Sequence, residues 1–241
     1  EGIGLALRLL PERIPTPEEI GMPRVLRVLA ERRHGLGLVC GATGAGKTTT
    51  LASLIEEINR TRSVHIVTLE DPIEYIFPPA RAFFSQREAG RDFVSFSDAV
   101  RSALREDPDI LLVGEMRDRA TVEAALMAAA TGVLVLGTLH TRSAVETPMR
   151  VESMFSQDVR DAVRAQFADA VTVIAAQYLL PRVGGGRAAV FETLAATPTV
   201  RNILRQGNYS QLTSVMMSGA AQGMQTAKMA ENALRAKGMI A

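Results

Sequence analysis

The residues Gly41-Ala-Thr-Gly-Ala-Gly-Lys-Thr48 match G-x-x-x-x-G-K-[ST], a spacing that cradles the phosphates of a nucleoside triphosphate. Glycine is required at Gly41, Gly44 and Gly46, where a Cβ would obstruct the turn or the approach of backbone N–H groups to phosphate oxygens. Lys47 supplies a mobile positive charge to the β- and γ-phosphates, and the Thr48 hydroxyl is a ligand for Mg²⁺. The nucleotide-contacting set is therefore Gly41, Thr43, Gly44, Ala45, Gly46, Lys47, Thr48 and Thr49.

Phosphoryl transfer to water further needs a held metal, an oriented nucleophile and positive charge on the equatorial oxygens. Glu115 follows an apolar run, as the second acid of a phosphate-loop enzyme does, and its side chain is long enough to reach Mg²⁺ through water. The three carboxylates of Glu70-Asp71-Pro72-Ile73-Glu74 cannot all be core residues, because unpaired buried acids are costly. Glu70 and Asp71 lie nearer the strand end, and Glu74 follows a Pro-fixed turn that suits polarising a water; spacing leaves the choice open. His140 ends an apolar run and is either a γ-phosphate sensor or a satisfied strand-end residue. His34 and His65 read as structural or surface residues, and no His/Cys/acid spacing suggests zinc. Arg87, Arg91, Arg105 and Arg117 are the arginines nearest these motifs, with Arg87 and Arg91 placed in the catalytic set. An arginine donated across a subunit boundary stabilises transition-state charge, so an oligomer follows if none closes the site in cis.

The elements that must position these groups alternate. Leu36 to Cys40 reads as a buried strand, and Lys47 to Asn59 carries Leu51, Leu54, Ile55 and Ile58 at helical spacing, so a helix N-terminus points at the phosphates. Further strands are expected over Val64–Leu69, Ala82–Gln86, Asp109–Val113 and Val133–Leu139. Helices are expected from Pro23 to a cap near Gly35, from a Ser97 cap through Glu106, and from Arg119 to Thr131. Thr16 is positioned to cap a turn through Pro17, Glu18 and Glu19. Such alternation implies right-handed crossovers and a mainly parallel α/β sheet. Val171–Leu180, Gly184-Gly-Gly186 and Arg187–Leu194 read as a hairpin that adds an antiparallel edge. From Pro198 onward come three helices, broken near Gly207 and across Gly219–Gly223; Met216, Met217, Met224 and Met229 there are core filler or a packing surface for a neighbouring subunit.

Composition narrows the class. The chain has 241 residues, 47% of them apolar, enough for a sizeable core. With 27 basic against 26 acidic residues, a formal charge of +1 offers no support for nucleic acid or an anionic membrane surface as a bulk partner. The single Cys40 excludes an internal disulfide and fits a reducing compartment. No stretch reaches the roughly 18 apolar residues of a transmembrane helix. The chain opens at Glu1 in what reads as a strand, as a fragment of a longer protein would.

Taken together, the residues resemble the secretion-type ATPases of bacterial type II and type IV systems, and within them the pilus-retraction branch. Gly41 to Thr48 is similar to the Walker A loop, Leu69-Glu-Asp-Pro-Ile-Glu-Tyr75 to the aspartate box, Ile110-Leu-Leu-Val-Gly-Glu-Met-Arg-Asp118 to Walker B, and Thr138-Leu-His-Thr-Arg-Ser143 to the histidine box. Thr199-Val-Arg-Asn-Ile-Leu-Arg-Gln206 resembles a segment of the retraction members, and the four-cysteine zinc module of the assembly and secretion members does not occur. The resemblance implies a RecA-like P-loop fold with a C-terminal helical bundle, ATP and Mg²⁺ as ligands, Glu74 as general base, Glu115 and Thr48 on the metal, and His140 on the γ-phosphate. It further implies residues 1–15 as the remnant of a PAS-like N-terminal domain and linker, with Gly4–Pro11 as its last strand and Arg8 at one of its arginine positions. Residues 16–196 would then be the motor core and 197–241 a helical subdomain. A homo-hexameric ring on an inner-membrane pilus platform protein, cytoplasmic and peripheral to that membrane, is the implied assembly, and pilus retraction the implied work. An assembly or secretion ATPase, an ATP-binding switch without efficient turnover, and a nucleic-acid translocase are the other readings.

Overall fold

In the computed structural model, which describes residues 13–241, the apolar run before the glycine loop is strand β1 (Gly35–Cys40), buried at every residue. The Gly4–Pro11 strand and Arg8 lie outside the described residues. Thr16 caps a single turn, its hydroxyl accepting from the Glu19 N–H at 3.3 Å while Glu19 Oε2 accepts from the Thr16 N–H at 2.8 Å. Helix α1 (Arg24–Arg27) tightens into a 3₁₀ turn over Val28–Glu31, and Arg32 is already extended. The helix expected to run to Gly35 therefore ends earlier, and Gly35 opens β1 instead of capping a helix.

After the loop come α2 (Lys47–Thr61), β2 (His65–Glu70), β3 (Phe83–Glu88), α3 (Phe96–Ala103), β4 (Ile110–Val113), α4 (Arg119–Ala130) and β5 (Leu134–Leu139). The α3 cap is Ser95, whose Oγ accepts from the Asp98 N–H at 3.4 Å; Ser97, the expected cap, is buried in the first turn and shares a hydrogen bond with Ser95. Helices α5 (Glu146–Ser153) and α6 (Arg160–Ala170) occupy a stretch in which the sequence suggested no element. Strands β6 (Val171–Pro181) and β7 (Arg187–Ala195) follow, then α7 (Pro198–Gln206), α8 (Leu212–Ser218) and α9 (Ala227–Ala236).

The described strands form one sheet in the order β3-β2-β4-β5-β1-β6-β7. The first six run parallel, and β7 pairs antiparallel to β6 at the edge, as the glycine turn implied. Alternate residues feed two cores. Leu36, Leu38 and Cys40 of β1 meet α3, α4 and α6 on one face, while Val39 shares the other with Leu26, Leu29, Leu54 and Ile58 of α1, α2 and the 3₁₀ turn between them. Helix α7 packs on α6 and α9 on β7. Met216 and Met224 are core residues, Met217 is exposed and Met229 half-buried, so the methionines serve both packing and surface. No helix among the described residues is long and apolar enough to cross a membrane.

Candidate active site

Parallel strands deliver their C-terminal ends to one edge, and there β1, β2, β4 and β5 hand over to the phosphate loop, the acid cluster, Glu115 and His140. These groups line one cleft of about 600 Å³. Thr43, Gly44, Gly46, Lys47, Thr48 and Thr49 face it, whereas Gly41 and Ala45 are buried behind the loop.

The loop's shape depends on two glycines. Gly41, at φ +148°, has no room for a Cβ, which would lie 2.3 Å from the Gln177 carbonyl oxygen; Gly46, at φ +87°, precedes α2 and has a Cβ position 2.9 Å from Gln177 Nε2. No side chain caps α2, so its first N–H groups face the cleft as anion donors. Lys47 Nζ donates to the Gly41 and Ala42 carbonyls at 2.9 and 3.1 Å, and partial burial lowers its pKa. Thr49 Oγ1 shares a 3.0 Å hydrogen bond with the Tyr75 hydroxyl, tying the helix start to the acid loop.

The three acids of that loop differ in environment. Glu70 ends β2, buried, accepting from Thr68 Oγ1 at 2.7 Å and Gln86 Nε2 at 3.3 Å; burial raises its pKa, with those bonds opposing. Asp71 is exposed, and Glu74 is half-buried on the cleft wall. The backbone of this loop and the residues just after it are pinned from β3, where Glu88 accepts from the Ile73 N–H at 3.0 Å and Gln86 bridges the Phe77 N–H and the Tyr75 carbonyl.

Glu115 sits opposite. Its carboxylate meets His140 Nε2 at 2.8 Å and the Arg117 guanidinium on the same oxygen. Partial burial pushes its pKa up, but hydrogen bonding from Arg117 and the charges of His140 and Arg117 outweigh that and hold it below the ordinary carboxylate value. The β4 and β5 ends are locked together by Thr138 Oγ1, which donates to the Gly114 carbonyl at 2.5 Å, and by the Met116 N–H, which donates to the Thr138 carbonyl at 3.0 Å.

Arg87 and Arg91 do not line this cleft. Arg87, on the outer strand β3, pairs with Glu106 at 2.5 Å, and Arg91 is exposed with Asp92 at 3.9 Å. The cleft's own arginines are Arg117 and Arg187. Sequence reasoning missed Arg187; its signal was the hairpin, since a strand returning beside one parallel to β1 begins next to the phosphate loop, with Arg187 opposite Pro181. Among the described residues no three His, Cys, Asp or Glu side chains converge to hold a metal by themselves.

The family described as Type II/IV secretion system protein matches residues 16–184. The type IV pilus retraction ATPase PilT of Pseudomonas aeruginosa is 44% identical over 239 residues, 99% of this chain and 70% of its own length. The twitching motility protein of Neisseria gonorrhoeae is 42% identical over 241 residues, 100% of this chain and 64% of its own. The crystal structure of the pilus retraction motor PilT with bound ADP superposes with a TM-score of 0.91 at 44% identity, covering 97% of this chain and 66% of that one. The chain thus spans about two thirds of the length of the relatives it matches.

Proposed function

The chain belongs to the type II/IV secretion system protein family, and from that premise we propose that it hydrolyses ATP with Mg²⁺ as the motor part of a pilus-retraction ATPase. The observation that carries this reading is the single cleft in which Lys47 and Thr48 face Glu74 and the Glu115–His140 pair. The glycine loop and the uncapped N–H groups of α2 that follow it fit a triphosphate, with Lys47 moving from its own loop carbonyls onto the phosphate oxygens. The Thr48 hydroxyl and the Glu115 carboxylate are the residues that would hold Mg²⁺, the rest of its shell coming from phosphate and water, as this ion prefers. When bound there, the ion neutralises charge developing on the phosphates.

Glu74 is the general base in this reading, orienting and deprotonating the attacking water from the cleft wall. His140 reports the γ-phosphate: its Nε2 is on Glu115, so a hydrogen bond to phosphate would redistribute the contacts of the metal-side acid. Arg87 and Arg91, away from the cleft of their own chain, are the donors to a neighbour's cleft, and Arg117 and Arg187 act in cis. The assembly is a homo-hexameric ring on an inner-membrane platform protein, with residues 16–196 as the motor core and 197–241 as a helical subdomain. Retraction is favoured over secretion because the likeness to retraction and twitching proteins runs along the whole chain.

The test is ATP turnover by the full chain over a range of protein concentrations, beside Glu74→Gln. Turnover should climb more steeply than linearly with protein, as an active site completed by a neighbour requires. Glu74→Gln should bind ATP and fall at least about a hundredfold in rate. An unchanged rate in that variant would remove Glu74 from the mechanism; no ATP binding by the wild type would remove the reading itself.

A further inference from the structure

Gln177 lines no part of the cleft, yet it meets the phosphate loop at both ends. Its neighbour Ala176 pairs with Cys40, the last residue of β1, and the Gln177 carbonyl then fills the space beside Gly41 that a Cβ would need. Its side chain, 4% exposed, accepts a 2.7 Å hydrogen bond from Thr50 Oγ1, at the end of the first turn of α2. The other amide atom, Nε2, stands against Gly46, where the loop enters that helix. One residue of β6 therefore touches the loop's entry, its exit and the helix that presents the N–H groups. An apolar side chain of the same length would leave the Thr50 hydroxyl, itself 1% exposed, buried without this partner.

We propose that Gln177 is a positioning residue that holds the phosphate loop in its nucleotide-binding shape, acting through Gly41, Gly46 and Thr50 without touching the nucleotide. The inference rests on the reading of the cleft as an ATP site. Its chemical logic is preorganisation: a loop held in advance spends less binding energy on ordering itself, so loss of the clamp appears in affinity. The same N–H groups serve a diphosphate and a triphosphate. ATP and ADP should therefore weaken together, and KM should rise by a larger factor than kcat falls.

The experiment titrates the full chain with a fluorescent N-methylanthraniloyl ATP, comparing wild type, Gln177→Met, Thr50→Val and the double variant, with melting temperatures alongside. Gln177→Met is expected to weaken binding about tenfold, the scale of one buried hydrogen bond. The double variant should bind about as well as the weaker single variant, because both substitutions break the same link. Wild-type affinity in Gln177→Met, or losses that add in full in the double variant, would overturn the proposal. Should Gln177→Met not fold, Thr50→Val breaks the same link from the helix side without adding charge. Weaker binding in that variant at an unchanged melting temperature supports the clamp, and wild-type binding refutes it. If wild type itself fails to bind the probe, the ATP reading fails and the clamp with it.

Discussion

Glu70 and Glu115 are acids one and two residues past similar apolar runs, and their surroundings push them in opposite directions. Arg117 and His140 hold Glu115 ionised, whereas Glu70, sealed beneath the acid loop, is held towards its protonated form by burial. The folded protein therefore keeps the Glu70 proton to higher pH than the unfolded chain does. That group's contribution to stability is complete below the ordinary carboxylate pKa and is lost as pH rises through the raised value. Glu70→Gln has the same shape and no titration. Its melting temperature relative to wild type should climb as pH rises above about 4; a difference that stays constant over that rise would contradict the assignment. Sequence patterning brought both acids to the sheet edge, but which of the three in the cluster was buried depended on Thr68 and Gln86, one on the same strand and one on its neighbour, and no spacing encodes that.

At the scale of elements, the legible parts were those whose signal is local. The central strands β1, β2, β4 and β5 are almost wholly buried and read as largely apolar runs, so they were placed within a residue or so, and the phosphate loop carried its own pattern. Helices α5 and α6 escaped because their exposed faces are wide and polar, with only Thr147, Pro148 and Val151 of α5 and Val163, Phe167 and Ala168 of α6 buried. The Ser95 cap was missed for a different reason: two serines two residues apart are equally good candidates, and only the chain's path chooses. The loop itself offers a graded test. Gly44→Ala meets nothing within 4 Å and adds only the strain of φ +79°, about 1–2 kcal/mol, whereas Gly41→Ala drives a Cβ to 2.3 Å from a backbone oxygen. Urea unfolding should find Gly41→Ala destabilised by roughly 3 kcal/mol or more and clearly beyond Gly44→Ala; equal midpoints would mean that β6 moves aside freely.

For the whole molecule, the sheet separates two kinds of work. Its C-terminal edge gathers the chemistry, while its β7 side receives the closing helix α9. A side-chain bond joins the middle of α9 to β6: the Tyr178 hydroxyl donates to Glu231 at 2.5 Å, and burial and that carboxylate both raise the tyrosine pKa; at the start of the helix the Ala227 N–H donates to Glu192 at 3.3 Å. Tyr178→Phe removes the bond alone and should cost about 1 kcal/mol, a fall of roughly 2–4 °C in melting temperature for a chain of this size. A shift below 1 °C would mean that α9 is held by its apolar face and its N-terminal contact with Glu192 without help from Tyr178. Tyr178 also follows Gln177 directly, and because successive strand residues point to opposite faces, the one peptide unit between them joins α9 on one side of the sheet to the phosphate loop on the other. The nine residue pairs between β6 and β7 make this strand stiff in shear. A tug on α9 would thus travel along a short, taut load path to the loop, and a shift of the loop would be felt as force at the far surface.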